Sequence, residues 1–188
     1  MNKAREIFDT YSNPNFEKVL KVINKMIKDK IINDYSVVGG YALLYYAQPI
    51  PTYDVDIAIV VNSDKLIYDM SNIYKYLSEL GYSTKEEYVI IYGMPVQFIM
   101  AQKDSVLDDA INNHKIERYK ATNFNIISLE YVIVNMLYTG RNKDKLKLIT
   151  ALEDKEVFDK IDKNELRRIL DKFNLTSKWN LFKIKLNN

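Results

Sequence analysis

Residues 15–32 place Phe16, Val19, Leu20, Ile23, Met26 and Ile27 at three- and four-residue spacing. That periodicity predicts an amphipathic helix, with Asn13-Pro14 as its start signal. Ser36-Val37-Val38 is a short apolar stretch ending at Gly39-Gly40, and Tyr41–Ala47 is a run of good helix formers. Gln48-Pro49-Ile50-Pro51 cannot continue that helix. Residues 54–61 are rich in β-branched side chains and predict a strand. Ser63 and Asp64 can cap a helix over 64–80, closed by Gly81. Residues 87–92 and 95–100 read as two strands joined by Gly93-Met94. A short helix fits 104–113, and a polar edge strand fits 115–120.

From Ser128 onward the pattern is helical throughout. Ser128 and Glu130 open a helix that runs to Thr139 and closes at Gly140, and further helices fit 143–153, 162–173 and 175–184. Strands and helices alternate up to about residue 125, and only helices follow. The expected fold is α/β: a mixed sheet core over 1–125 flanked by helices, with a helical region, 126–188, packed on it. Trp179, Leu181 and Phe182 are expected to seal that helical region. Tyr41, Tyr45 and Tyr46 read as core and rim.

Composition narrows the chemistry. Of 188 residues, 47% are apolar and 28% charged, the balance of a globular chain. Cys is absent, which excludes disulfide frameworks, thiol nucleophiles and zinc ribbons. The single histidine, His114, excludes a poly-His metal site and reads as a surface residue. Net charge is +2. Residues 1–100 carry 10 Lys/Arg against 12 Asp/Glu, and 101–188 carry 17 against 13. The basic helices of 160–185 read as a solvated face, with contact to RNA such as tRNA as the alternative. No apolar run reaches membrane-spanning length, and the charged N-terminus lacks the apolar core of a secretory leader. No membrane association is expected, and the chain reads as cytoplasmic.

The stretch with chemical content is Gly39-Gly40-Tyr41-Ala42, followed by Thr52-Tyr53-Asp54-Val55-Asp56. Carboxylates at i and i+2 on a strand point to one face, because strand side chains alternate. Two carboxylates on one face suit Mg²⁺, or Mn²⁺, which also takes phosphate oxygens. A Gly-Gly between strand and helix lets backbone N–H groups approach a phosphate.

These residues resemble the nucleotidyltransferase superfamily typified by DNA polymerase β, whose signature is Gly-Gly or Gly-Ser, a helix, then Asp-x-Asp on the next strand. They are most similar to small prokaryotic members related to the AbiEii abortive-infection toxin, where Gly39, Gly40, Ala42, Thr52, Asp54 and Asp56 match position by position. Glu130, Tyr131, Gly140, Arg141, Lys143 and Asp144 match a second motif of that group. The resemblance covers about residues 35–150. It implies that Asp54 and Asp56 bind metal and act in catalysis, and that Gly39, Gly40, Thr52, Arg141 and Lys143 contact a nucleoside triphosphate. Four positions depart from the group's pattern. An arginine is replaced by Ile50, the third carboxylate by Gln97, a lysine by Met136, and an acidic residue by Lys147. Glu86 and Glu87 are alternative sources of a third carboxylate.

Two functions follow from the resemblance. The leading one is Mg²⁺-dependent transfer of a nucleotide from a triphosphate to a hydroxyl of RNA or protein. The other is a degenerate relative that binds nucleotide or a partner protein, as in a toxin–antitoxin pair, without turnover. An amide at 97 cannot accept a proton near neutral pH, which favours the second. The face carrying Asp54 and Asp56 is expected to carry Gln97 as well, since Val96 and Phe98 alternate with it.

Overall fold

The computed structural model describes residues 8–47, 51–61 and 70–186. Its elements, in chain order, are α1 (Phe16–Lys28), β1 (Asp34–Val38), α2 (Gly39–Tyr46), β2 (Val55–Val60), α3 (Ser71–Glu79), β3 (Ser83–Lys85), β4 (Tyr88–Ile91) and β5 (Met94–Met100). Then come α4 (Val106–Asn112), β6 (Lys115–Tyr119), β7 (Thr122–Ile126), α5 (Leu129–Thr139), α6 (Asn142–Leu152), α7 (Lys155–Phe158), α8 (Lys163–Lys172) and α9 (Thr176–Leu186). The strands form one seven-stranded sheet in the order β3-β4-β5-β2-β1-β7-β6. It is mixed: β2 runs parallel to β5 and β1 parallel to β7, while the other pairs are antiparallel. The fold is α/β, as the alternation of elements predicts.

β1 and β2 lie at the centre, which explains their composition. Val37, Val55, Ile57, Ala58 and Ile59 are fully buried, as strands covered on both faces require. The α1 stripe is buried at Phe16, Val19, Leu20, Ile23 and Met26, while Ile27 is half-buried. Phe8, Phe16, Tyr41, Tyr119 and Phe124 form an aromatic cluster with ring centroids 4.8–6.4 Å apart. Edge-to-face geometry dominates it, the arrangement that ring quadrupoles favour.

Helix α5 joins the sheet to the helical tail. It packs on α2, α4, α6 and α8. Ser128 caps its start and Gly140, at φ +67°, ends it. Leu129, Val132, Ile133 and Val134 are buried within it.

Several local expectations need correction. β3 pairs with β4, and β7 pairs with β6. Neither β3 nor β7 has an apolar run; β3 is held by its hairpin partner, and β7 lies between its hairpin partner β6 and β1. The β4–β5 turn is Tyr92-Gly93, both at positive φ, so Met94 belongs to the strand. Leu181 is 64% exposed, while Trp179 and Phe182 stack in the interior. His114 is not a surface residue: its side chain is 17% exposed, its Nδ1 lies 3.8 Å from Asp34 Oδ2, and that nitrogen has no hydrogen-bond partner. The proposed helix start at Ser63 and Asp64 lies outside the described residues, whose helix begins at Ser71.

Candidate functional site

β1 ends at Val38 and passes directly into α2, whose first residues are Gly39 and Gly40. Val38 pairs with Asp56 across the antiparallel β1–β2 ladder. The glycines therefore face the acidic end of β2. A Cβ on Gly39 would overlap Asp56 Oδ2 and lie 2.9 Å from its Cγ, and Gly39 sits at φ +61°. Only glycine meets both conditions. A Cβ on Gly40 would overlap the Thr52 hydroxyl and lie 3.1 Å from Lys147 Nζ. Thr52 in turn donates to the Asp54 carbonyl at 3.3 Å. Gly39, Gly40, Thr52, Asp56 and Lys147 thus lie together, with Asp54 beside them just before β2.

Alternation puts Asp54 and Asp56 on one side of β2, and Val55 and Ile57, both fully buried, on the other. In the parallel β2–β5 ladder Asp56 lies opposite Gln97. Val96 and Phe98 on either side of Gln97 are buried. The Gln97 side chain accordingly shares the face of Asp56.

Burial pushes the Asp56 carboxyl up to about 6 from an ordinary 3.8. The neighbouring Asp54 charge adds to that rise, while Arg141, Lys143 and Lys147 oppose it. Those three cations come from the α5–α6 turn and from α6. Arg141 precedes α6 and is anchored: its Nε donates to Asp144 Oδ2 at 2.6 Å. Asp144 is 4% exposed and also accepts from the Thr139 hydroxyl at 3.0 Å. Lys143 is exposed. Met136 is buried in α5 and presents no cation. Ile50 lies outside the described residues.

Two site residues were not picked out as functional by sequence reasoning. Lys147 stood out only as a departure from the family pattern, yet its ammonium reaches the Gly40 backbone. Its position four residues after Lys143, on the same face of a helix, was the available signal. The Tyr88 hydroxyl lies 3.5 Å from Asp54 Oδ2. It reaches there because Val89 pairs with Val96, one step before Gln97, a long-range register that no local pattern reveals. Burial raises the Tyr88 pKa, followed by the Asp54 and Glu87 charges. Glu86 and Glu87 form the β3–β4 turn and are exposed, with Glu86 at φ +56°. Among the described residues, no three acidic or histidine side chains cluster so as to hold a metal ion.

The second motif has a different place. Glu130, 5% exposed, accepts from the Asp162 backbone N–H at 2.9 Å, ahead of α8. The Tyr131 hydroxyl donates to Asp109 at 2.8 Å and accepts from Arg168 at 3.2 Å. These two residues tie α4, α5 and α8 together.

No protein-family model matches the sequence, and no curated protein matches it. Among solved structures, the chain is similar to an antigenic nucleotidyltransferase-like protein from Paracoccidioides brasiliensis. The TM-score is 0.54 at 14% identity, covering 97% of this chain and 93% of that one. The likeness establishes a nucleotidyltransferase-like fold. Among the described residues no helix is long and apolar enough to cross a membrane.

Proposed function

We propose that this chain is a nucleotide-binding protein on a nucleotidyltransferase-like fold, in which nucleotidyl transfer is weak or absent. The observation that carries this reading is the pairing of Asp56 with Gln97. The residue best placed to add a third carboxylate to the aspartate pair is an amide. Asp54 and Asp56 remain suited to one divalent cation: burial and mutual repulsion raise Asp56, and a cation beside them would relieve both. Such a cation would supply charge neutralisation to a triphosphate. Gly39 and Gly40 keep the backbone clear for the phosphates, and Thr52, Arg141 and Lys143 line their approach. Gln97 offers a carbonyl oxygen as a neutral ligand and cannot take a proton from an acceptor hydroxyl.

The motif resemblance to AbiEii-related proteins supports the same assignment of residues. It extends to a partner protein of toxin–antitoxin type, or to tRNA, as a second molecule that the nucleotide-binding protein contacts.

The test is calorimetric titration of ATP in Mg²⁺ and in EDTA. Asp54→Asn combined with Asp56→Asn is expected to remove the Mg²⁺-dependent part of ATP binding and leave the fold intact. Equal Mg²⁺-dependent affinity in the wild type and the double variant would refute the metal role.

A further inference from the structure

Lys147 is the feature of the cleft that the reading above leaves unused. Its side chain is half-buried and its Nζ lies 3.1 Å from where a Cβ on Gly40 would stand, next to the Thr52 hydroxyl. Among the described residues no carboxylate lies within ion-pair distance of it. An ammonium held in a cleft without a salt-bridge partner is a ready anion site.

The charges around it point the same way. Asp54 and Asp56 supply two negative charges, and Gln97 beside Asp56 supplies none. Lys143 and Lys147 supply two positive charges that act on Asp56. Arg141 acts on it too, although its Nε is engaged by Asp144. The cleft is therefore near neutrality without any metal ion. A polyphosphate lying against the Gly39-Gly40 backbone would have the Lys147 ammonium beside it.

We propose that the Lys147 ammonium supplies the charge a divalent cation would otherwise bring, so that the cleft binds a linear polyphosphate group without metal. The group is the triphosphate of a nucleotide or free tripolyphosphate. The inference rests on the reading above only in placing the phosphates beside Gly40. An ammonium and a phosphate oxygen in direct contact near a protein surface attract strongly enough for one lysine to change the affinity measurably.

The experiment is calorimetric titration of inorganic tripolyphosphate and of ATP in EDTA. The proteins are the wild type, Lys147→Gln, and Lys147→Met, which keeps the apolar stem and drops the charge. Wild type is expected to bind tripolyphosphate in EDTA, and either folded variant to bind at least about tenfold more weakly. Equal binding of ATP and tripolyphosphate assigns the site to the phosphates alone, and tighter binding of ATP adds a contact to the nucleoside. No tripolyphosphate binding by wild type in EDTA, or undiminished binding by a folded charge-free variant, overturns the proposal. The Mg²⁺ response of ATP binding in the Asp54→Asn, Asp56→Asn double variant is scored separately. Its failure removes the metal reading and leaves Lys147 standing.

Discussion

At the scale of single residues, Asp56 is held against its own solvation. Its carboxyl is raised to about 6, first by burial and then by Asp54. Below about pH 3 the folded and unfolded chains are both protonated there, and the group costs nothing. As pH rises towards 6 the unfolded chain releases its proton first, so this group removes stability from the fold across that window and holds the loss above it. A two-unit shift corresponds to roughly 2–3 kcal/mol. Asp56→Asn should therefore raise the thermal midpoint at pH 7.5 in EDTA and make little difference at pH 3. A variant that melts at or below wild type at pH 7.5 would contradict the assigned burial cost. Gln97 sets the opposite test. Gln97→Asp adds a carboxylate beside Asp56 and should tighten Mn²⁺ binding about tenfold or more. Unchanged Mn²⁺ affinity, read by electron paramagnetic resonance, would place residue 97 outside the cation's reach.

At the scale of elements, the site depends on the turn between α5 and α6. Asp144 is nearly inaccessible, and its Oδ2 takes hydrogen bonds from Arg141 and Thr139. Those bonds aim Arg141 and set the start of the helix that carries Lys143 and Lys147. Asp144→Ala removes the acceptor shared by Arg141 and Thr139, although the Thr139 hydroxyl keeps the Met136 carbonyl and Arg141 can turn to water; it should cost about 1–2 kcal/mol of stability. It should also weaken polyphosphate binding although Asp144 itself touches no ligand. Denaturant unfolding gives the first quantity and calorimetry the second. The glycine pair is an element-level device as well. β1 turns into α2 with no intervening loop, so the first helical residue must lie against Asp56 on the adjacent strand. Gly39→Ala meets both a positive φ and an overlap with that carboxylate, and it should displace Asp56 or unfold the strand end.

At the scale of the whole molecule, the helical tail and the sheet share α5. The helix buries Leu129, Val132, Ile133, Val134 and Leu137 and packs on α2, α4, α6 and α8. Each such side chain contributes about 1.5–3 kcal/mol of burial. Together they rival the whole net stability of a domain, about 5–15 kcal/mol. A fragment of residues 1–125 should accordingly lack fixed tertiary structure, with weak near-ultraviolet dichroism, and the full chain should unfold in one transition. A fragment that unfolds cooperatively on its own would show that the sheet needs no help from α5.

The strong local signals of this chain were legible without coordinates. The α1 stripe, the β-branched run of β2, the Ser128 and Gly140 ends of α5 and the alternation of strands and helices all rest on short-range periodicity and capping, and such physics is written into neighbouring residues. The carboxylate pair and the glycine pair were legible for the same reason, since their faces follow from a two-residue repeat and a strand–helix junction. β3 and β7 were not, because β3 is a short polar segment that becomes a strand only when its hairpin partner satisfies its backbone, and β7 is a five-residue segment held between β6 and the distant β1. The neighbours of Asp56 were beyond local reach too. Gln97 reaches it through a parallel register 41 positions along the chain, and Tyr88 reaches Asp54 through the strand beyond. Lys147 reaches the glycines only because α5 and α6 fold back over the sheet. Contacts of that kind depend on how the core closes, and the closing of the core decides which charges meet.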